Sequence, residues 1–193
     1  MKLNQVRKEF ICTYEQVGLL EANRYLEKWN HKMGPLHRGN QSAVCHMLFN
    51  KGRPLAVTTA SNLIRTNVGG GLIMLTRENT IELSRLCASR KDICRVALRM
   101  WREFVFPNLE YKYAVSYQDA HIHNGNTYKF DGWRKLGFSH SGTDYRSGRK
   151  GRDKWIWVWH KNKKELDRIE QYQNEKKSAP KDKWRQAKSG ALE

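Results

Sequence analysis

Between Val115 and Phe138 the chain reads VSYQDAHIHNGNTYKFDGWRKLGF, and among its side chains that can hold or move a proton are Ser116, Asp119 and Tyr128. Asp119 closes an apolar strand at its C-terminal end, where catalytic groups collect on open mixed sheets, so it can act as a general base or ligand. The same aspartate can equally cap the turn into His121–Asn124. Ser116, three positions earlier, can hydrogen-bond a bound base or an acyl carbonyl, or satisfy a neighbouring backbone group. A phenol with an ordinary pKa of about 10 is a proton donor at neutral pH, which suits Tyr128, although packing of a short helix explains that residue as well.

The preceding apolar stretch, TIELSRLCAS, alternates so that Glu82 and Ser84 share one strand face while Leu83, Arg85 and Cys87 share the other. An arginine between Leu83 and Leu86 is costly to bury without an anion. Arg85 is therefore a candidate partner for Asp119, for phosphate or for a cofactor, or else half of an ordinary ion pair. His46, His121 and His123, with Asp119, supply imidazole and carboxylate groups suited to iron or zinc, at spacings that define no ligand set. Arg146, Arg149, Lys150, Arg152 and Lys154 cluster in TDYRSGRKGRDK, a glycine-rich cationic loop that phosphate contact or simple solvation explains. Trp155, Trp157 and Trp159 follow at alternating positions and form an aromatic ladder on one strand face.

These residues need elements to hold them. NQVRKEFICTYEQVGLLEANRYLEKWN spaces its apolar residues for one or two amphipathic helices interrupted at Gly18. Two apolar runs, Ala43–Phe49 and Pro54–Thr59, flank the turn-forming Asn50-Lys51-Gly52 and predict a β-hairpin. Asn67–Gly71 reads as a loop, TIELSRLCAS as a strand, and DICRVALRMWREFVF as a helix with Asp92 near its start and Pro107 past its end. KYAVSY is a strand, Asn124–Trp133 a short helix or turn, and LGFSHSG and DKWIWVWH a closing pair of strands. The order predicts an α/β (α+β) fold in which helices cover a mixed sheet.

The chain has 193 residues, enough for one core, which is assigned to residues 1–160, with residues 161–193 as a basic helical or disordered tail. Lys and Arg number 36 against 19 Asp and Glu, so the formal charge of +17 favours a polyanion such as nucleic acid. Solubility and an anionic membrane surface are the other readings of such charge. Four cysteines without a paired spacing suggest reduced cytosolic thiols, and the lack of a long apolar run predicts neither secretion nor membrane spanning.

The arrangement resembles the GNAT acyltransferase superfamily over about residues 40–160. Within it, IELSRLC, YAVSYQDA and HNGNTYKFDGWRKLGF resemble the phage Mom family, which modifies adenine in DNA. The resemblance implies a mostly antiparallel sheet whose parallel strand pair splays apart, with Leu86 and Cys87 exposing backbone amides to the pantetheine arm of acetyl-CoA or a related donor. It places Arg90 and Lys91 at the turn that would take the pyrophosphate, although Ser89–Cys94 lacks the glycines usual there. It also gives Tyr128 the role of protonating a departing thiolate and groups Asp119, Tyr128, Ser116, Ser84 and Arg85 as catalytic, with Asp119 and Tyr128 in one cleft.

The activity implied is conversion of adenine to its N6-carbamoylmethyl (acetamido) form in double-stranded DNA, which protects phage DNA from restriction in the host cytoplasm. That product joins N6 to a methylene carbon rather than a carbonyl carbon, which leaves a redox metal such as iron as one means of activation. The base must be flipped out of the duplex to reach the site. The rival readings are a conventional GNAT N-acetyltransferase on a protein or small amine, and a non-catalytic DNA-binding protein. A monomer and a dimer both fit the sequence.

Overall fold

The computed structural model describes residues 12–37, 43–70, 73–140 and 151–178. The first element, β1 (Cys12–Val17), is a strand where helical spacing predicts a helix. It pairs antiparallel along its whole length with β2 (Val44–Asn50), and Tyr14 stacks on His46 at 5.3 Å and hydrogen-bonds the Thr58 hydroxyl. Tertiary pairing has overridden local periodicity here, as it often does where propensity is weak. The helix begins only after Gly18: α1 (Leu19–Lys28) buries Ala22 and Leu26.

After α1 the chain runs through a strap, residues 31–37. Asn23 on α1 grips Leu36 at both polar backbone atoms, accepting its N–H at 2.8 Å and donating to its carbonyl at 3.2 Å. The expected hairpin follows. β2 turns into β3 (Arg53–Asn62) through Lys51 and Gly52, whose φ angles of +48° and +72° match the two-residue turn that a twisted antiparallel pair favours.

The stretch expected as a loop at Asn67–Gly71 instead begins a small second sheet, β4 (Asn67–Gly70) with β5 (Ile73–Thr76). Val68, Ile73 and Leu75 are buried from it, and that burial gives the pairing its reason. Next come β6 (Thr80–Ala88) and α2 (Ile93–Met100), which continues through a wider π-helical turn, Trp101–Val105, into a tight turn at Phe106–Asn108 containing Pro107. β7 (Tyr113–Asp119), α3 (Asn126–Phe130), β8 (Arg134–Ser139), β9 (Lys154–His160) and α4 (Lys163–Ser178) complete the described chain.

The main sheet has seven strands in the order β1-β2-β3-β6-β7-β9-β8. β6 and β7 are its one parallel pair, joined only at Thr80/Tyr113, Ile81/Ala114 and Glu82/Val115. Beyond Glu82 and Val115 the two strands have no registered partners in each other, so the mixed sheet with a splayed parallel pair is the architecture observed. One sheet face packs α2, its π-helical turn and α3 over Ile81, Leu83, Ala114 and Trp157. The other face carries α1 over Cys45, Met47 and Val57, and α4 with the small hairpin over Val115, Leu136 and Val158. Leu166 and Ile169 of α4 are buried in that second layer. Trp101, Phe106 and Trp133 are fully buried on the α2 face, each contributing roughly 1.5–3 kcal/mol relative to an exposed position. No helix among the described residues is long and apolar enough to cross a membrane.

Candidate active site at the parting strands

The alternation of β6 is interrupted where the strands part. Thr59 of β3 pairs with Arg85 and Ala60 with Leu83, so Ser84 is an extra residue, a β-bulge. The bulge resets the side chains. Leu83 and Leu86 both pack on the α2 face, and Arg85 and Cys87 lie on the opposite face with Glu82 rather than with Leu83. Ser84 stays beside the Ser61/Glu82 pair: its hydroxyl lies 2.6 Å from that of Ser61 on β3.

On the α2 face the gap is closed by hydroxyl groups. Ser116 donates to the Leu83 carbonyl at 2.9 Å, bridging the separating strands, and its oxygen lies 2.9 Å from the Tyr128 phenol. Tyr128 is stacked on Trp157 and edge-on to Trp133, with ring centres 5.5 Å away in each case. Burial pushes its pKa up to about 12, against the smaller lowering effect of the Ser116 hydrogen bond, so the phenol stays protonated through neutral pH. Its placement depends on Gly125, which starts α3 with a φ of +80°. A Cβ there would lie 2.5 Å from Gln118 Oε1 and 2.6 Å from Trp157 Cζ2. Those two atoms are themselves fixed, because Trp157 Nε1 donates to Gln118 Oε1 at 2.7 Å.

Asp119 lies elsewhere. Its Oδ1 accepts the N–H groups of His121 at 3.0 Å and Ile122 at 3.2 Å, the geometry of an aspartate capping a turn, while Oδ2 is 3.7 Å from Arg152 Nη1. Three residues past Ser116 on an alternating strand, it projects from the opposite sheet face. The single cleft expected for Asp119 and Tyr128 is thus two half-sites, one on each face of the parting strands.

The Asp119 half-site is rich in charge. Arg85, only 7% exposed, donates from Nε to Gly34 at 3.0 Å, from Nη2 to Pro35 at 3.4 Å and from Nη1 to its neighbour Ser84 at 2.8 Å. Backbone carbonyls thus take these guanidinium donors, and the arginine latches the strap across the sheet. Arg152 also holds the strap, donating to the Lys32 carbonyl at 3.2 Å. Lys154, opposite Asp119 in the β7/β9 register, is half-buried with its ammonium 5.9 Å from the Tyr117 ring centre. Burial lowers its pKa; Glu82 opposes the shift and Arg85 and Arg152 add to it. Among the described residues no carboxylate oxygen lies within 4.0 Å of its nitrogen. His31 on the strap is held neutral, its pKa lowered to about 4 by burial and then by Arg85, His123 and Arg152.

The turn expected to take a cofactor pyrophosphate is differently arranged. Arg90 pairs with Asp92, and the Ile93 and Cys94 N–H groups donate to the Arg90 and Lys91 carbonyls at 3.2 and 3.4 Å. Leu86 is half-buried on the α2 face, whereas Cys87 is buried on the other, its thiol pKa raised by burial. The β7-facing edge of β6 beyond Glu82, which has no registered strand partner, fits the amide-bonding arm of coenzyme A. For a metal, no three His, Cys, Asp or Glu side chains group suitably among the described residues. His46 stacks on Tyr14, His121 Nε2 is 3.7 Å from Asp153, and the His123 carbonyl accepts from Gln118. The proposed iron set is therefore not assembled. Of the residues expected to contact DNA, Arg152 and Lys154 are described, whereas Arg146, Arg149 and Lys150 lie outside the described residues.

Sequence reasoning missed His31, Gln118 and the site side of Glu82. Glu82 and Gln118 did leave a signal, since each is a polar residue inside an apolar strand, and both are buried at 4% exposure.

No family model and no curated protein matches the chain. Solved structures do share its fold. An N-acetyltransferase from Staphylococcus aureus aligns with a TM-score of 0.55 at 12% identity, covering 78% of this chain and 97% of that one. A variant of spermidine N-acetyltransferase from Vibrio cholerae aligns with a TM-score of 0.55 at 10% identity, covering 77% and 93%. A Desulfovibrio desulfuricans protein assigned to the GNAT family aligns with a TM-score of 0.51 at 11% identity, covering 77% and 98%. The chain has the GNAT fold.

Proposed function

We propose that this chain is a group-transfer enzyme whose acceptor is adenine N6 in DNA, as its Mom-like motifs imply. The observation that carries this reading is the pair of half-sites on the two faces of the parting strands: a Ser116–Tyr128 hydroxyl pair on the α2 face, and Lys154 with Arg152 on the other. Two faces suit a displacement in which nucleophile and leaving group occupy opposite sides of the reacting carbon. The acceptor enters from the cationic face. The co-reactant is a donor carrying a carbamoylmethyl group on a heteroatom leaving group: a bond forms between N6 and the methylene carbon as the carbon–heteroatom bond breaks, and the leaving group departs with the electron pair and takes a proton from Tyr128. The N6 proton passes to the acceptor face, where Asp119 and Glu82 are the carboxylates. The formal charge of +17 supports a polyanionic partner.

The fold neighbours support a second reading, acetyl transfer to an amine, because two are N-acetyltransferases by name. The two readings separate by experiment. DNA from cells expressing the chain, digested to nucleosides and analysed by mass spectrometry, should contain deoxyadenosine in which a carbamoylmethyl group replaces an N6 hydrogen. Unmodified DNA, together with acetylation of an amine in the absence of DNA, would favour the second reading.

A further inference from the structure

We infer that the mouth bridged by Arg152 is a subsite for one unpaired nucleotide, its phosphate held by Lys154 and Arg152 and its base lodged between Met33 and Ile122. This rests on the DNA reading above and adds the residues that hold the flipped-out nucleotide. The geometry starts at Arg152, whose Nη2 donates to the Lys32 carbonyl of the strap and whose Nη1 is 3.7 Å from Asp119. That one guanidinium ties the strap to the turn after β7. Met33 directly follows Lys32, and the Ile122 N–H bonds the same Asp119 carboxylate, so both flank the tie. Both are large apolar residues left exposed, with relative exposures of 44% and 46%.

A half-buried ammonium is costly without a counter-charge. Lys154 has no carboxylate within ion-pair distance among the described residues, while Asp119 is already bonded to two amides and Arg152. An arriving phosphate supplies the missing anion. The neighbouring His31 is neutral at pH 7, so it offers a base hydrogen-bonding capacity without adding charge. Two apolar side chains beside a cationic patch favour a base that has left its stack, since paired bases present only edges and backbone.

Fluorescence anisotropy tests this with the full chain and two DNA duplexes, one fully paired and one carrying a single adenine opposite an abasic position. The wild type should bind the second about tenfold more tightly, because the unpairing cost is already met. Met33→Ala/Ile122→Ala, changed at exposed positions, should abolish that preference while retaining duplex affinity. Lys154→Ala should weaken both duplexes and lower the salt dependence of binding. DNA binding without preference, or a preference that survives the double substitution, overturns the subsite and leaves the DNA reading standing. Absence of binding to either duplex by the wild type overturns both.

Discussion

His31 is an uncharged histidine among cations, and that sets how the site responds to acid. Its folded-state pKa of about 4 lies below the ordinary 6.5, first through burial and then through Arg85, His123 and Arg152. The unfolded chain takes up this proton as pH falls below about 6.5, whereas the folded chain refuses it until about 4. The stabilisation is fully present above the unfolded value and is lost between the two. Urea denaturation should therefore show the wild type losing on the order of 1–2 kcal/mol through this residue between those pH values, and His31→Gln should remove that part of the loss. Identical pH slopes for the two proteins would contradict it. The same burial acts oppositely on Tyr128, whose pKa of about 12 keeps its proton in place for transfer.

At the scale of elements, the π-helical turn is held by one carboxylate. Asp131, just after α3, has a fully buried side chain that accepts from Arg102 Nε at 2.8 Å, from Arg99 Nε at 3.4 Å and from Trp133 Nε1 at 3.2 Å. This network ties α3, and with it Tyr128, to the end of α2. Asp131→Ala leaves the Arg102 guanidinium and an indole N–H without that acceptor, so it should lower stability by about 3–5 kcal/mol in urea titration. A loss below about 1 kcal/mol would show that the network is solvated rather than structural.

The legible elements were those with a strong local signature: the Lys51-Gly52 hairpin, the TIEL and YAVSY strands, and the alternating tryptophans of β9. β1 was not legible, because its helical spacing was outweighed by pairing with β2 and by the Tyr14–Thr58 contact. The bulge at Ser84 left no local signal either, since it is defined by the register against β3. That single residue decided which face Arg85 joins, and the strap carbonyls that satisfy it lie about fifty positions away. Asp119 was legible as a strand-end carboxylate, but its turn-capping geometry and its separation from Tyr128 required the fold.

Across the whole molecule the account rests on a division between faces. α2, α3 and the aromatic layer surround Tyr128, the proposed proton donor, whereas the strap, Arg152 and Lys154 lie on the face proposed to take the polyanion, and the faces meet where β6 and β7 separate. This division predicts that chemistry and DNA affinity can be lost independently. Substitutions at Tyr128 should leave DNA binding intact because the phenol lies behind the sheet, while Lys154→Ala should act chiefly on affinity. The most direct measurement is the yield of modified deoxyadenosine with Tyr128→Phe against the wild type at equal protein level, with DNA affinity measured in parallel. The account predicts a yield lower by about a hundredfold or more with unchanged affinity; equal yields, or a matching loss of affinity, would contradict it.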